Sequence, residues 1–331
     1  MKIMLFLFLF SCQLFSSQNI LPEEKFSVSQ NYIYLAKFEF YKKNYRKANG
    51  LFKKAFYYHS PKDSYDLLDA GAAALYSGEN ELFEKYIIES ITKYKAPLEF
   101  IINYKKFEKY KNDSFFTELP AKYDVLYNSF FTTHQNLQVY LDSNLLMEKD
   151  QMIRDIISDL EKNTEETNLN KKFIYNQLIK IDEKNAQDLI DLTKKHGYQE
   201  NTWLLLWHHR LQFNDENNFF WQFFKPYINK EIEQGKLHKS FFAMFEDFSE
   251  MESKQTQKYG MFPQSYMINP IKDIKNVDWL RNEVGLPPLL YDKIVNGYPI
   301  IDDKYQLSES DLQNLLEKRI SKYEIIKAND N

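Results

Sequence analysis

Three features of the sequence predict an all-α fold. Glycine and proline are scarce, 8 and 10 in 331 residues, too few to turn the many connections of a sheet or a doubly wound fold. Residues 29–97 repeat a helix-pair pattern at an interval of about 35 residues. From residue 145 onward, apolar side chains recur at helical spacing. The expected architecture is a set of helical hairpins followed by a helical bundle domain. Apolar residues make up 44% of the chain, enough to fill two ordinary cores. A formal net charge of −4 gives no reason to expect a nucleic-acid partner.

The first 17 residues read as a secretory signal peptide. Lys2 supplies the positive end, Ile3 to Phe10 the apolar core, and Ser16 and Ser17 the small residues before cleavage. Cleavage after Ser17 would leave Gln18 first and send the chain to the periplasm or outside the cell. A second reading stands beside this one. Leu9-Phe10-Ser11-Cys12 is similar to a bacterial lipoprotein box, although Phe10 is bulky for it, and Cys12 would then carry a lipid anchor. Cys12 is the single cysteine. Its removal would exclude disulfides, thiolate metal sites and thiol nucleophiles together. No later stretch approaches 18 apolar residues, so no membrane span is expected.

Residues 18–140 are expected to form the hairpin region. The first helix pair carries Tyr32, Leu35 and Ala36, then Ala48, Phe52 and Ala55. The second carries Leu67, Ala70 and Gly71, then Phe83, Ile87 and Ser90. Aligning Ala36 with Gly71 and Phe52 with Ile87 gives the repeat. Small residues let paired helices approach, and aromatics fill the groove between them. The pattern resembles a tetratricopeptide pair, with Glu39 where an aromatic is usual. That resemblance implies a concave surface for a protein or peptide partner. Two repeats bury too little to stand alone, so residues 98–119 are read as a cap ending near Pro120, and 121–140 as a connecting helix.

A helical domain over 141–297 follows. Leu146, Ile153, Ile156, Ile157 and Leu160 mark its first helix, and residues 162–170 a loop. Lys171 to His196 form the second helix, closed by Gly197 after a basic last turn. Further helices are expected over Thr202–Phe213, over Asn218–Gln234 with a bend at Pro226, and over His238–Ser253. The tail, 298–331, holds a helix from about Glu309 to Ile326 with Ser308 and Asp311 as its cap. The dense aromatics at 219–227 and 241–248 read as core between helices.

No dinucleotide, P-loop, H-E-x-x-H or G-x-S-x-G motif occurs. What remains is an ordered set of polar residues. Asp150, Gln151 and Arg154 come first, then Asp182 and Asn185, then His196-Gly197-Tyr198 and His208. Asp247, Gln257-Lys258-Tyr259-Gly260, and Arg281 with Gly285-Leu286-Pro287-Pro288-Leu289 complete it. Over residues 145–290 this order is similar to a bacterial family of helical domains of unknown function, numbered 6624. The resemblance implies a fold and a candidate cluster but no activity. Trp207 stands where that family has Gln, and Met261-Phe262 where it has Thr-Gln.

The spacing supports a cluster by itself. Asp150 and Arg154 lie at i, i+4, and Asp182 and Asn185 at i, i+3, so each pair shares a helix face. A buried polar group left unpaired costs about 1–3 kcal/mol. A shared network of Asp150, Arg154, Asp182, Asn185, His208 and Asp247 in the bundle interior would satisfy them, with Tyr259-Gly260 in a loop closing over it. It is either a specifying polar core or a site. As a site, His208 would be the base and Asp150, Asp182 or Asp247 its orienting acid. Arg154, Gln151, Asn185, Tyr259 and Gly260 would contact the ligand. No cofactor or metal is expected. Neighbouring residues on a helix point about 100° apart, so His208 and His209 cannot grip one ion. His208 is expected to face inward with Leu204, Leu205 and Leu211, and His209 to lie nearer the rim. His59, His134 and His238 read as surface or boundary residues. Two functions follow: an exported interaction protein of the cell envelope using the hairpin surface, or a hydrolase or small-ligand binder using the polar cluster.

Overall fold

The computed structural model describes residues 21–162, 168–300 and 304–329. The leader, Cys12 and most of the loop expected at 162–170 lie outside the described residues. The fold is all-α. The described residues hold no strand, only an isolated bridge between Gln257 and Ile271. No helix among them is long and apolar enough to cross a membrane.

The chain opens with two helix pairs, α1 (Pro22–Tyr41) on α2 (Tyr45–Tyr58) and α3 (Ser64–Ser77) on α4 (Asn80–Tyr94). Small and aromatic side chains pack where the paired helices meet. Ala36, Phe52 and Ile87 are fully buried, and a Cβ on Gly71 would lie 3.2 Å from Ile87 Cδ1. Asp63 caps α3 by accepting the Asp66 N–H, and Gly78 ends it at φ +83°. Glu39 is fully buried but partnered, with Lys47 at 2.7 Å and Asn44 Nδ2 at 2.7 Å. A carboxylate that satisfied can stand where an aromatic was expected.

The cap is α5 (Leu98–Ile102), a 3-10 turn at Lys105–Tyr110 and α6 (Ser114–Thr133). Pro120 does not end the cap. It sits inside α6, in the second turn, and the helix runs on through it. Lys95, closing α4, points its ammonium at the rings of Tyr127, Phe130, Phe131 and Tyr140, 4.9–5.5 Å from their centroids. That cation–π cage joins the hairpins to the next helix.

The bundle begins with α7 (Leu137–Lys162), earlier than the apolar pattern indicated, and α8 (Asn168–His196), which Gly197 ends at φ +87°. Ile156 is 42% exposed and does not share the inner face of α7. The helix expected over 202–213 is shorter. It is α9 (Trp203–His208) followed by a 3-10 turn, so Leu211 is 67% exposed rather than inward. Next come α10 (Phe219–Glu233), capped by Asn218 and running through Pro226, and α11 (Ala243–Lys254). Phe220, Trp221, Phe224 and Phe245 fill the core between them.

The last helices are α12 (Val277–Glu283), α13 (Leu289–Asn296) and α14 (Glu309–Asn329). Ser308 caps α14, accepting the Asp311 N–H and donating to its carboxylate. The sequence set 298–331 apart as a tail, but α14 packs along α1. Leu312, Leu316, Ile320 and Tyr323 join the core of the hairpins. Tyr291 of α13 enters the same core, edge-on to Tyr34 at 5.4 Å. Beneath it, Lys37 holds Asp66 at 3.0 Å and Asp69 at 3.1 Å, and Asp69 also takes Tyr104 Oη and Lys106. The hairpins are therefore packed, along α1, against the chain's own C-terminal segment.

Two glycines test this packing with opposite signs. Gly235 lies at φ +67°, and a Cβ there would come 2.3 Å from the Pro22 carbonyl oxygen. Gly235→Ala should lower the unfolding midpoint, with at least about 1–2 kcal/mol from the left-handed backbone alone. Gly50, inside α2, has open space around it. Gly50→Ala should stabilise by about 0.5–1 kcal/mol in the same urea titration.

Candidate functional site

Four of the expected residues converge where α9 meets the α7–α8 hairpin. Asp150 and Arg154 project from one face of α7, and Arg154 donates to both Asp150 oxygens at 3.1 Å each. The same guanidinium reaches across to Asp182 of α8 at 2.8 Å. His208 closes the group from the end of α9, with Nδ1 2.7 Å from Asp150 Oδ2. The ring N–H direction lies off that oxygen, so the contact is a close approach rather than an aligned hydrogen bond. Gln151 also donates to Asp150 Oδ2, at 2.7 Å. The loop before α9 is fixed to α7 by Asn201, whose amide donates to Ser143 Oγ at 2.8 Å and Asn144 Oδ1 at 2.7 Å.

The cluster is graded from inside to outside. The Asp150 side chain is 1% exposed, His208 14%, Arg154 26% and Asp182 27%. Burial opposes the charge on Asp150, but His208 and Arg154 outweigh it and hold the carboxyl below its ordinary value. Asp182 goes the other way. Burial and the nearby Asp150 raise it, and Arg154 only partly compensates. Two carboxylates on one arginine therefore have their proton affinities pushed apart, the condition under which one serves as a charge and the other as an acid. Asn185 is buried one turn beyond Asp182, and its Nδ2 has no partner among the described residues.

The remaining expected residues belong elsewhere. Asp247 is fully buried, and the N–H groups of Lys258, Tyr259 and Met261 donate to its oxygens at 2.6, 2.8 and 2.7 Å. It shapes the 257–261 loop instead of joining His208. Tyr259 donates its hydroxyl to Glu246, and Gly260 lies at φ +74° with its carbonyl accepting from Tyr266 Oη. This loop wraps Asp247 and does not close over the cluster. Arg281 is 1% exposed and donates to the carbonyls of Pro287 and Tyr259 and to Asp292. The second half of the ordered polar set is thus a clamp for irregular backbone. Trp207 packs among Phe245, Phe248 and Phe262.

His209 stacks on Phe220 at 4.1 Å, and burial lowers its pKa to about 4. His238 is a correction. It is 8% exposed, not a surface or boundary residue, because it caps the 3-10 turn at Lys239–Phe242 and lies under Phe26. The Lys37–Asp66–Asp69 group was also missed, although charges within otherwise apolar helices were a visible signal.

No family model, curated protein or solved structure matches the chain.

Burial holds both His209 and His238 neutral in the folded chain, with pKa values lowered to about 4 and about 3. A base with a depressed folded pKa contributes stability that is fully present above its unfolded value of about 6.5 and is lost as pH falls toward the folded value. Stability should therefore decline below about pH 6.5, at up to about 2.7 kcal/mol per pH unit for two protons. Urea titrations across this range should show about half that slope in His209→Phe, which keeps the stack on Phe220. An unchanged slope would contradict the assignment.

Proposed function

We propose that the helical domain after the hairpins carries a small polar site with general acid–base chemistry of the hydrolase type. The observation behind this reading is the 2.7 Å approach of His208 to an Asp150 carboxylate that Arg154 also grips. Asp150 orients the imidazole and stabilises its charged form. The other ring nitrogen then acts as base. A water held there gives its proton to His208 as its oxygen attacks the substrate. Asp182, whose carboxyl keeps its proton to higher pH than usual, returns a proton to the leaving group. Arg154 positions both acids. Asn185, with its unpaired amide, is a further donor for the substrate.

This arrangement is in keeping with the resemblance of residues 145–290 to the helical family numbered 6624. It also has more support than the reading of the hairpins as a peptide receptor, because α13 and α14 pack against α1 and take up part of the hairpin surface. Export rests on the leader and is part of the same proposal.

The test is turnover of small ester, amide and phosphoester substrates by the purified chain. His208→Asn should lower kcat/KM by about 100-fold or more, with an unfolding midpoint close to that of the native chain. Full turnover in that variant, or none by the native chain on any of the three classes, overturns the proposal.

A further inference from the structure

A cavity of about 460 Å³ lies away from the His208 cluster, between the first turns of α1, the end of α12, the His238 turn and α14. Its walls present donors that have no partner among the described residues. Arg319 lines it, and Arg319 Nη1 is buried with no hydrogen-bond partner among them. No carboxylate forms an ion pair with this guanidinium among the described residues, and burial lowers its pKa.

His238 lines the same cavity. Its Nδ1 lies 2.7 Å from Ser240 Oγ and 3.2 Å from the Ser240 N–H, which donates to it. Taking Nδ1 as the acceptor from both groups places the proton of the neutral imidazole on Nε2. Nε2 has no partner among the described residues. Gly285 keeps this edge of the ring open, because a Cβ there would lie 2.9 Å from Nε2. The charges that act on the ring are Lys62, Lys239 and Arg319, all positive, and with burial they hold its pKa near 3.

We propose that this cavity binds a small carboxylate ligand, its oxygens held by Arg319 Nη1 and the His238 Nε2–H. An unpaired buried cation is costly. A planar carboxylate matches the guanidinium fork and accepts from a second donor at the same time. Glu23 and Glu24 also line the cavity without forming an ion pair with Arg319 among the described residues, and their charge favours a single negative charge over a dianion. The volume suits a small organic acid. The site is separate from the His208 cluster, so either can fail alone.

The experiment is thermal unfolding of the full chain with acetate, propionate or benzoate, against chloride, sulfate and phosphate at matched ionic strength. At least one carboxylate should raise the midpoint by about 3 °C or more at saturation. Arg319→Met should abolish that rise. It should also leave the ligand-free midpoint equal or higher, since it removes an uncompensated buried charge. No response to any carboxylate overturns the proposal. So does a response to sulfate and phosphate alone, or a carboxylate response that survives in Arg319→Met.

Discussion

The return of the C-terminal segment onto α1 is the contact on which the rest of this molecule depends. Two helix pairs have an inner face and an open edge that would otherwise lie in water. Tyr291 fills part of the inner face, and Leu312, Leu316, Ile320 and Tyr323 enter the same core. Burying a large apolar side chain is worth about 1.5–3 kcal/mol, so these residues supply the hairpins with much of what a third repeat would have given. The same contact carries the chain out to the bundle and back, which sets α12 beside the start of α1. The cavity lined by His238 and Arg319 exists because of that closure.

Buried charge is handled in three ways. The side chains of Arg281 and Asp247 are themselves matched, mostly to backbone, and irregular segments are held without repeating structure. At Asp150 the match is between side chains and sits at a half-open edge, where Arg154 and Asp182 still reach solvent. At Arg319 part of the match is missing. A fully satisfied network specifies a fold, whereas a graded or incomplete one leaves capacity for a ligand.

Much of the local structure was legible. The repeat interval placed Ala36, Gly71, Phe52 and Ile87 at helix contacts because close approach needs small residues in either copy. The Ser308 cap and Gly197 were readable because they are local chemistry. Asp150 and Arg154 were readable as a pair from their spacing, and Asp182 and His208 as members of the cluster from their polar character in apolar helices. Asp247 shares that character yet binds a loop. Sequence spacing cannot tell a carboxylate facing a cation from one facing three backbone N–H groups. The Pro120 reading failed because α6 runs through its proline, as α10 runs through Pro226, and the Leu211 reading because α9 stops at His208.

The sequence by itself determined the helical class, the pairing of the first four helices and the identity of the polar residues that must find partners. Those follow from periodicity, capping and the cost of burying a charge, all set within a few turns of chain. Tertiary structure decided which partners they found. It put the last helix on the first, took up part of the hairpin surface, separated Asp247 from His208, and left His238 and Arg319 facing one cavity. These outcomes depend on contacts between residues tens to hundreds of positions apart, where packing chooses among many pairings that the local pattern leaves equal.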